Sequence, residues 1–315
     1  MQAILITVLP VFGMIVLGYA FAKFRLIDAP AGRGISLFVF NVAIPALLFK
    51  TVGGLAADQG APWALWIAFF GGLALTWIAA AVVARRLPAL AVSGGSAGSM
   101  AAGFGNLALL GTPLALAHFG EPVALPLSMI LSVHAPVLWL AATLHREIAR
   151  HSSGFSAGRM LRELFLNLTR NAIVLALVAG SLWRLTGFGF DPISARMLTM
   201  LADASVPTAL FALGVSLAGY SLKGAWSGMF TILGLKMLLM PVLVFLLVRF
   251  AFNVQPLYAK LAVLFAAMPP GANAFLFAQK NDESVPEVSG AIALGTILAA
   301  ISATALLWLM DAGWI

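Results

Sequence analysis

Two prolines, a glycine and an asparagine stand together as MPPGANAF at Met268–Phe275, in the middle of an apolar stretch long enough to cross a bilayer. Proline deletes a helix hydrogen bond and clashes with the turn before it. Inside a membrane the freed backbone groups cannot turn to water. A break of this kind is therefore tolerated only where protein buries it or where it lines a cavity. A second break, GFGNLALLGTPL at Gly103–Leu114, lies in the first half of the chain. Paired interruptions in corresponding halves point to a binding site near mid-membrane.

The membrane premise rests on charge. Only 9% of the 315 residues are charged and 62% are hydrophobic, against about 25% charged in a soluble domain. The expected fold class is an all-α polytopic membrane protein, with the lipid bilayer as its surroundings and no room for a soluble domain. In a soluble protein the net charge of +7 would invite nucleic acid. Here it reads as lysine and arginine in cytoplasmic loops, and no nucleic-acid partner is expected. The absence of cysteine excludes disulfides, thiolate chemistry and cysteine-ligated metal. No HExxH, P-loop or paired mid-membrane carboxylates are present, so no catalytic residue, metal or cofactor is expected. The first apolar stretch lacks a basic leader and cleavage site and is expected to be retained as a span.

At about 20 apolar residues per span, ten spans emerge: 3–22, 34–52, 62–84, 94–117, 122–144, 168–186, 197–219, 227–249, 257–279 and 288–310. Loops after odd-numbered spans hold twelve lysines and arginines, from Lys23 to Lys280; the other side holds Lys50, Arg184, Arg196, Arg249 and Lys260. Odd loops are thus expected in the cytoplasm and both termini outside. Five spans followed by five more give the halves opposite orientations, a 5+5 inverted repeat. The expected domains are a first five-helix repeat over 1–150, a cytoplasmic linker over 151–166 containing HSSGFSAG, and a second repeat over 167–315.

The broken spans, fourth and ninth, fall at equal positions in the two halves, each with an asparagine beside its break: Asn106 before Pro113, and Asn273 after Pro269 and Pro270. Their amides can both donate and accept. Gly103, Gly105, Gly111 and Gly271 permit close backbone approach. N-terminal ends of the half-helices favour a carboxylate. In the second span Asn41 and Pro45 stand one turn apart, and Pro207 holds a similar place in the seventh. The run Ser93–Gly103 reads better as small-residue helix packing.

Lys236 lies 13 residues from both Lys223 and Arg249, roughly 20 Å from either end of its span. A central lysine costs about 2.5–3.5 kcal/mol on insertion scales. It supplies charge near an anion, caps carbonyls of a broken helix, where a sodium ion sits in some transporters, or is deprotonated. His134 is an intramembrane ionisable group, read as functional or as a neutral cross-helix hydrogen-bonding group. Asp203 is expected a turn or two inside its span, where the dipole favours a carboxylate, with a proton or cation ligand as the other reading. Trp63, Trp66, Trp183, Trp226, Trp308 and Trp314 suit an interfacial belt.

At NVAIPALLF in span two, GFGNLALLGTPL in span four, PTALFALGVSL in span seven, GLKMLLMP in span eight and PPGANAFLFA in span nine, the chain resembles the auxin efflux carrier family. That family includes plant PIN-type auxin exporters and bacterial malate or malonate permeases. The resemblance runs over essentially the whole chain. It implies ten helices on the plan of bile-acid carriers and sodium–proton antiporters, with scaffold and transport domains. The broken spans would cross near mid-membrane, beside a small organic anion moved by an elevator or rocking motion. Asn41, Pro45, Asn106, Gly111, Pro113, Pro269, Pro270, Gly271 and Asn273 would bind substrate, and Lys236, His134 and Asp203 would serve charge or coupling. The long cytoplasmic loop of plant exporters is missing, which favours a compact bacterial permease in the plasma membrane. A homodimer also follows from the resemblance. Coupling to protons or sodium stays open, as do a sodium-coupled symporter resembling the bile-acid carriers and a membrane sensor that binds without transport.

Overall fold

The computed structural model describes residues 2–54, 63–91 and 95–150, then Gly158, Arg162, Phe165, Leu166, Thr169 and Arg170, and finally 171–314. Residues 151–157 of the HSSGFSAG segment, most of the expected linker, and Ser93 and Gly94 of the small-residue run lie outside the described residues. Among the described residues every named element is helical. Seven helices among them are long and apolar enough to cross a membrane. In chain order the elements are α1 Gln2–Lys23, α2 Ala29–Gly53, α3 Trp63–Ala84, α4 Ser96–Gly103, α5 Leu107–Phe119 and α6 Ala124–Ala149. They continue with α7 Ala172–Thr186, α8 Pro192–Leu217, α9 Trp226–Ala251, α10 Pro256–Ala266, α11 Ala272–Asn281 and α12 Val285–Asp311.

Helix starts follow caps rather than the first apolar residue. Asp28 Oδ1 accepts from the Ala31 N–H at 2.8 Å, so α2 begins five residues before the expected 34. Asn171 caps α7 by accepting from Ile173 N–H at 2.9 Å. Asp191 caps α8, accepting from Ile193 N–H at 2.9 Å and Ser194 N–H at 3.1 Å. Pro192 follows at the first helical position, where its missing N–H costs nothing. This moves Asp203 about three turns into α8, on an exposed face. The expected placement near the helix start is therefore corrected: the apolar window began at 197, but the capped helix runs out further.

Three prolines in mid-helix each follow a widened turn. The backbone forms π-turns at Val39–Ala43, Leu107–Gly111 and Leu235–Leu239, each ending two residues before a proline: Pro45, Pro113 and Pro241. The proline ring would clash with the carbonyl four residues back. Opening the turn by one residue moves that carbonyl aside, so the Ile44 N–H reaches Val39 O and the Met240 N–H reaches Leu235 O. Such turns are common at functional sites.

The chain clusters into two compact units, each drawing segments from both sides of the basic 145–170 region. The first comprises Met1–Pro62, Ala108–Val133 and Asn167–Gly219. Its helices pack backbone to backbone: a Cβ on Gly18 of α1 would stand 2.1 Å from Phe211 O of α8, and one on Gly214 would stand 2.0 Å from Ile15 O. A Cβ on Gly180 of α7 would reach Phe49 O of α2 at 3.1 Å. Between membrane helices lipid is as apolar as leucine, so close approach through small residues supplies the packing energy.

The second unit comprises Trp63–Leu107, His134–Leu166 and Tyr220–Ile315. Gly72 of α3 receives Val244 of α9, and Gly290 and Gly295 of α12 receive Met229 and Leu233. A buried polar knot closes one end. Ser96 Oγ donates to Glu283 Oε2 at 2.6 Å, and Arg146 Nε donates to Glu283 Oε1 at 2.8 Å. Glu283 is flanked by Asp282 and Ser284, both at positive φ.

Candidate functional site

The expected fourth span is α4 and α5 separated by three non-helical residues, Phe104–Asn106. The ninth is α10 and α11 separated by Ala267–Gly271. Within the second unit these two breaks pair with each other. Gly271 N–H donates to Phe104 O at 2.9 Å, and Asn106 N–H donates to Pro269 O at 2.8 Å, with Gly105 and Pro270 as an antiparallel bridge pair. Each break thus satisfies backbone groups that the other's interruption had freed, which answers the requirement that buried backbone polar groups be partnered. Glycine is needed for the approach. A Cβ on Gly271 would stand 3.0 Å from both Gly105 O and Phe104 Cδ1, and 3.2 Å from Asn106 Cα.

Pro269, Pro270 and Gly271 are buried, and so is Asn106. Its side-chain amide has no hydrogen-bond partner among the described residues. Asn273, half-buried in the first turn of α11, accepts from Trp139 Nε1 through Oδ1 at 3.1 Å. No side chain caps the N-terminus of α11, whose N-cap is Gly271. Two half-helices, α5 and α11, therefore begin directly after the paired breaks, each with an asparagine at its start.

Lys236 is fully buried. Its Nζ donates to Ala266 O, at the end of α10, at 2.5 Å and lies 3.3 Å from Met240 Sδ. A Cβ on Gly105 would be 3.3 Å from the same nitrogen. Among the described residues it forms no ion pair with a carboxylate. Its nitrogen thus contacts the carbonyl end of a broken helix. The α9 π-turn carries it there. His134 is buried beside the break, edge-on to Phe104 at 4.6 Å between centroids, and its Nε2 has no hydrogen-bond partner among the described residues.

The second unit thus brings together Asn106, Pro269, Pro270, Gly271, Asn273, Lys236 and His134. The remaining expected residues belong to the first unit. Asn41 is exposed in the α2 π-turn, with Pro45 just beyond it; Gly111 and Pro113 are buried in α5; Asp203 is exposed on α8.

A sequence profile for the family described as "Membrane transport protein" matches residues 3–307. The chain belongs to that family, the auxin efflux carriers. This family member is 30% identical over 312 residues to a Rhizobium meliloti (strain 1021) protein named "Putative malonate transporter", covering 97% of this chain and 95% of that one. It is 26% identical over 305 residues to an "Uncharacterized transporter" of Methanothermobacter thermautotrophicus (strain ATCC 29096 / DSM 1053 / JCM 10044 / NBRC 100330 / Delta H), covering 94% and 95%. This member of the family is an integral membrane transporter rather than an enzyme.

One residue at the carrier's candidate site escaped the sequence reading. Trp139 stands well inside α6, away from the six tryptophans assigned to an interfacial belt, and that displacement was the available signal. Its partner is on α11, and no periodicity within α6 reveals it.

Proposed function

We propose that this chain is a secondary carrier for a small organic anion, with a mono- or dicarboxylate such as malonate held beside the paired breaks. The observation that carries the reading is the Gly105–Pro270 bridge with Asn106 and Asn273 beside it. Half-helix N-termini bear partial positive charge, and two side-chain amides add donors there. Lys236 acts one step back, neutralising the carbonyl end of α10 and leaving the N-terminal ends to the anion. This division of labour fits a carboxylate ligand. It leaves little use for a sodium ion at the α10 end, where the ammonium already stands, so a sodium-coupled symport is the weaker reading.

Seven long helices, the 15-residue α7 and the two pairs of half-helices together make ten spans, arranged as a 5+5 inverted repeat whose broken members cross. Alternating access moves the site between the two faces. Malonate is favoured as substrate because the relative of 30% identity bears that name.

The test is uptake of radiolabelled malonate, malate and indole-3-acetate into proteoliposomes, with and without sodium and proton gradients, alongside Asn273→Ala and Asn106→Ala. Saturable uptake that either variant reduces at least tenfold without abolishing it is expected. Absence of uptake of all three acids under every gradient would overturn the reading.

A further inference from the structure

The hydrogen bond between Trp139 and Asn273 carries more than packing. The Trp139 ring lies along one stripe of α11: Asn273, Phe277 and Lys280, spaced i, i+4 and i+7 on a common face. It meets Phe277 edge to face at 5.6 Å between centroids, and the Lys280 ammonium stands 5.9 Å from the ring centroid. Three contacts along one helix face thus set the position of the indole.

An indole N–H can only donate. Whatever lies 3.1 Å from Trp139 Nε1 must accept, so the Asn273 amide is obliged to present Oδ1 to it. The flip of an asparagine is otherwise an open choice between two near-identical shapes. Here the partner's chemistry decides it. Nδ2, with its two N–H groups, is turned to the other side and has no hydrogen-bond partner among the described residues. An amide able to face a ligand with either end becomes a group that offers donors alone.

Resting on the anion-carrier reading above, we infer that Trp139 is a positioning residue that fixes the polarity of Asn273, so that the site accepts an ionised carboxylate and disfavours a ligand that must donate there. Trp139 acts through Asn273 and need not touch the anion. The Lys280 contact adds to what holds the ring against α11.

A double-mutant cycle tests the assignment. Malonate binding and uptake would be measured for Trp139→Phe, Asn273→Ala and the double variant, with a further protein carrying benzothienylalanine at 139, which keeps the ring shape and lacks only the N–H. Loss of one oriented hydrogen bond to a charged ligand corresponds to about a tenfold weaker affinity. Trp139→Phe and the benzothienyl protein are expected to raise the malonate KM about tenfold with kcat within about twofold. Preference for malonate over malonamide as competitor should fall in parallel. In the Asn273→Ala background the change at 139 should have less than about a twofold effect, since coupled residues are non-additive. Equal effects in both backgrounds, or a benzothienyl protein indistinguishable from wild type, would overturn the role of Trp139 while leaving the carrier intact. Malonate transport insensitive to Asn273→Ala would instead overturn the site, and no anion transport by the wild-type protein would reject the carrier reading and this inference together.

Discussion

Lys236 shows how one residue can be legible in part. Its depth, and so its cost, followed from counting residues to the nearest basic neighbours. Its partner, Ala266 O, could not be read, because a carbonyl acceptor has no letter of its own and lies 30 residues away. The geometry separates two contributions of the side chain, a donor and a charge. Lys236→Gln keeps a donor for Ala266 O and removes the charge; Lys236→Met removes both. Uptake is expected to fall to background in both proteins, because the carbonyl end of α10 is no longer neutralised. Thermal stability in detergent should hold for the glutamine variant. For methionine it should drop by about 1–3 kcal/mol, the cost of a buried acceptor left unmade. Normal uptake in either variant would contradict this assignment. Asp203 was misplaced for the opposite reason. The Asp191–Pro192 cap, a signal written in the sequence, lies outside the apolar window that defined the span.

Among elements, the broken helices were legible because proline and glycine break helices wherever they occur. The π-turns were not, since a proline forecasts a defect without saying whether the backbone kinks, unwinds or widens. Helix contacts through glycine were equally hidden: the chain has 30 glycines, and nothing local distinguishes one that touches another backbone. Gly214 and Gly234 make the contrast testable. Gly214→Ala would push a methyl group into Ile15 O, and a loss of about 1–3 kcal/mol is expected from overpacking. Around Gly234 a Cβ meets nothing within 4 Å. There Gly234→Ala should leave the melting temperature unchanged or raise it, as alanine is the better helix former. The α8 cap offers a pH test. Hydrogen bonds from the Ser194 hydroxyl, then from the Ser194 and Ile193 N–H groups, hold the Asp191 carboxyl below the usual carboxylate range. A lowered folded-state pKa stabilises above the unfolded value and is lost as pH falls through the folded one. The melting-temperature gap between wild type and Asp191→Ala should therefore be present at neutral pH and close in acid.

For the whole molecule, the membrane class came from apolar length and scarcity of charge alone. The partition into two units did not, because each unit interleaves segments from both halves, and proximity of that kind is absent from a linear reading. Orientation is the expectation that most needs measurement. The wild-type chain has no cysteine, so single reporters need no cleared background. Arg150→Cys should react with an impermeant maleimide only from the cytoplasmic side, and Ala312→Cys only from outside. The reverse labelling pattern would invert the topology.

The pairing of the two breaks also sets a schedule for synthesis. The Phe104 carbonyl and the Asn106 N–H find their donor and acceptor, respectively, on a segment made about 165 residues later. At ribosomal rates of 5–20 residues per second, that is a wait of roughly 10–30 s. Through that interval the first break must be shielded by the insertion machinery or by water drawn into the bilayer. A nascent chain stalled before Pro269 should accordingly be far more vulnerable to membrane quality control than one stalled just after Asn281.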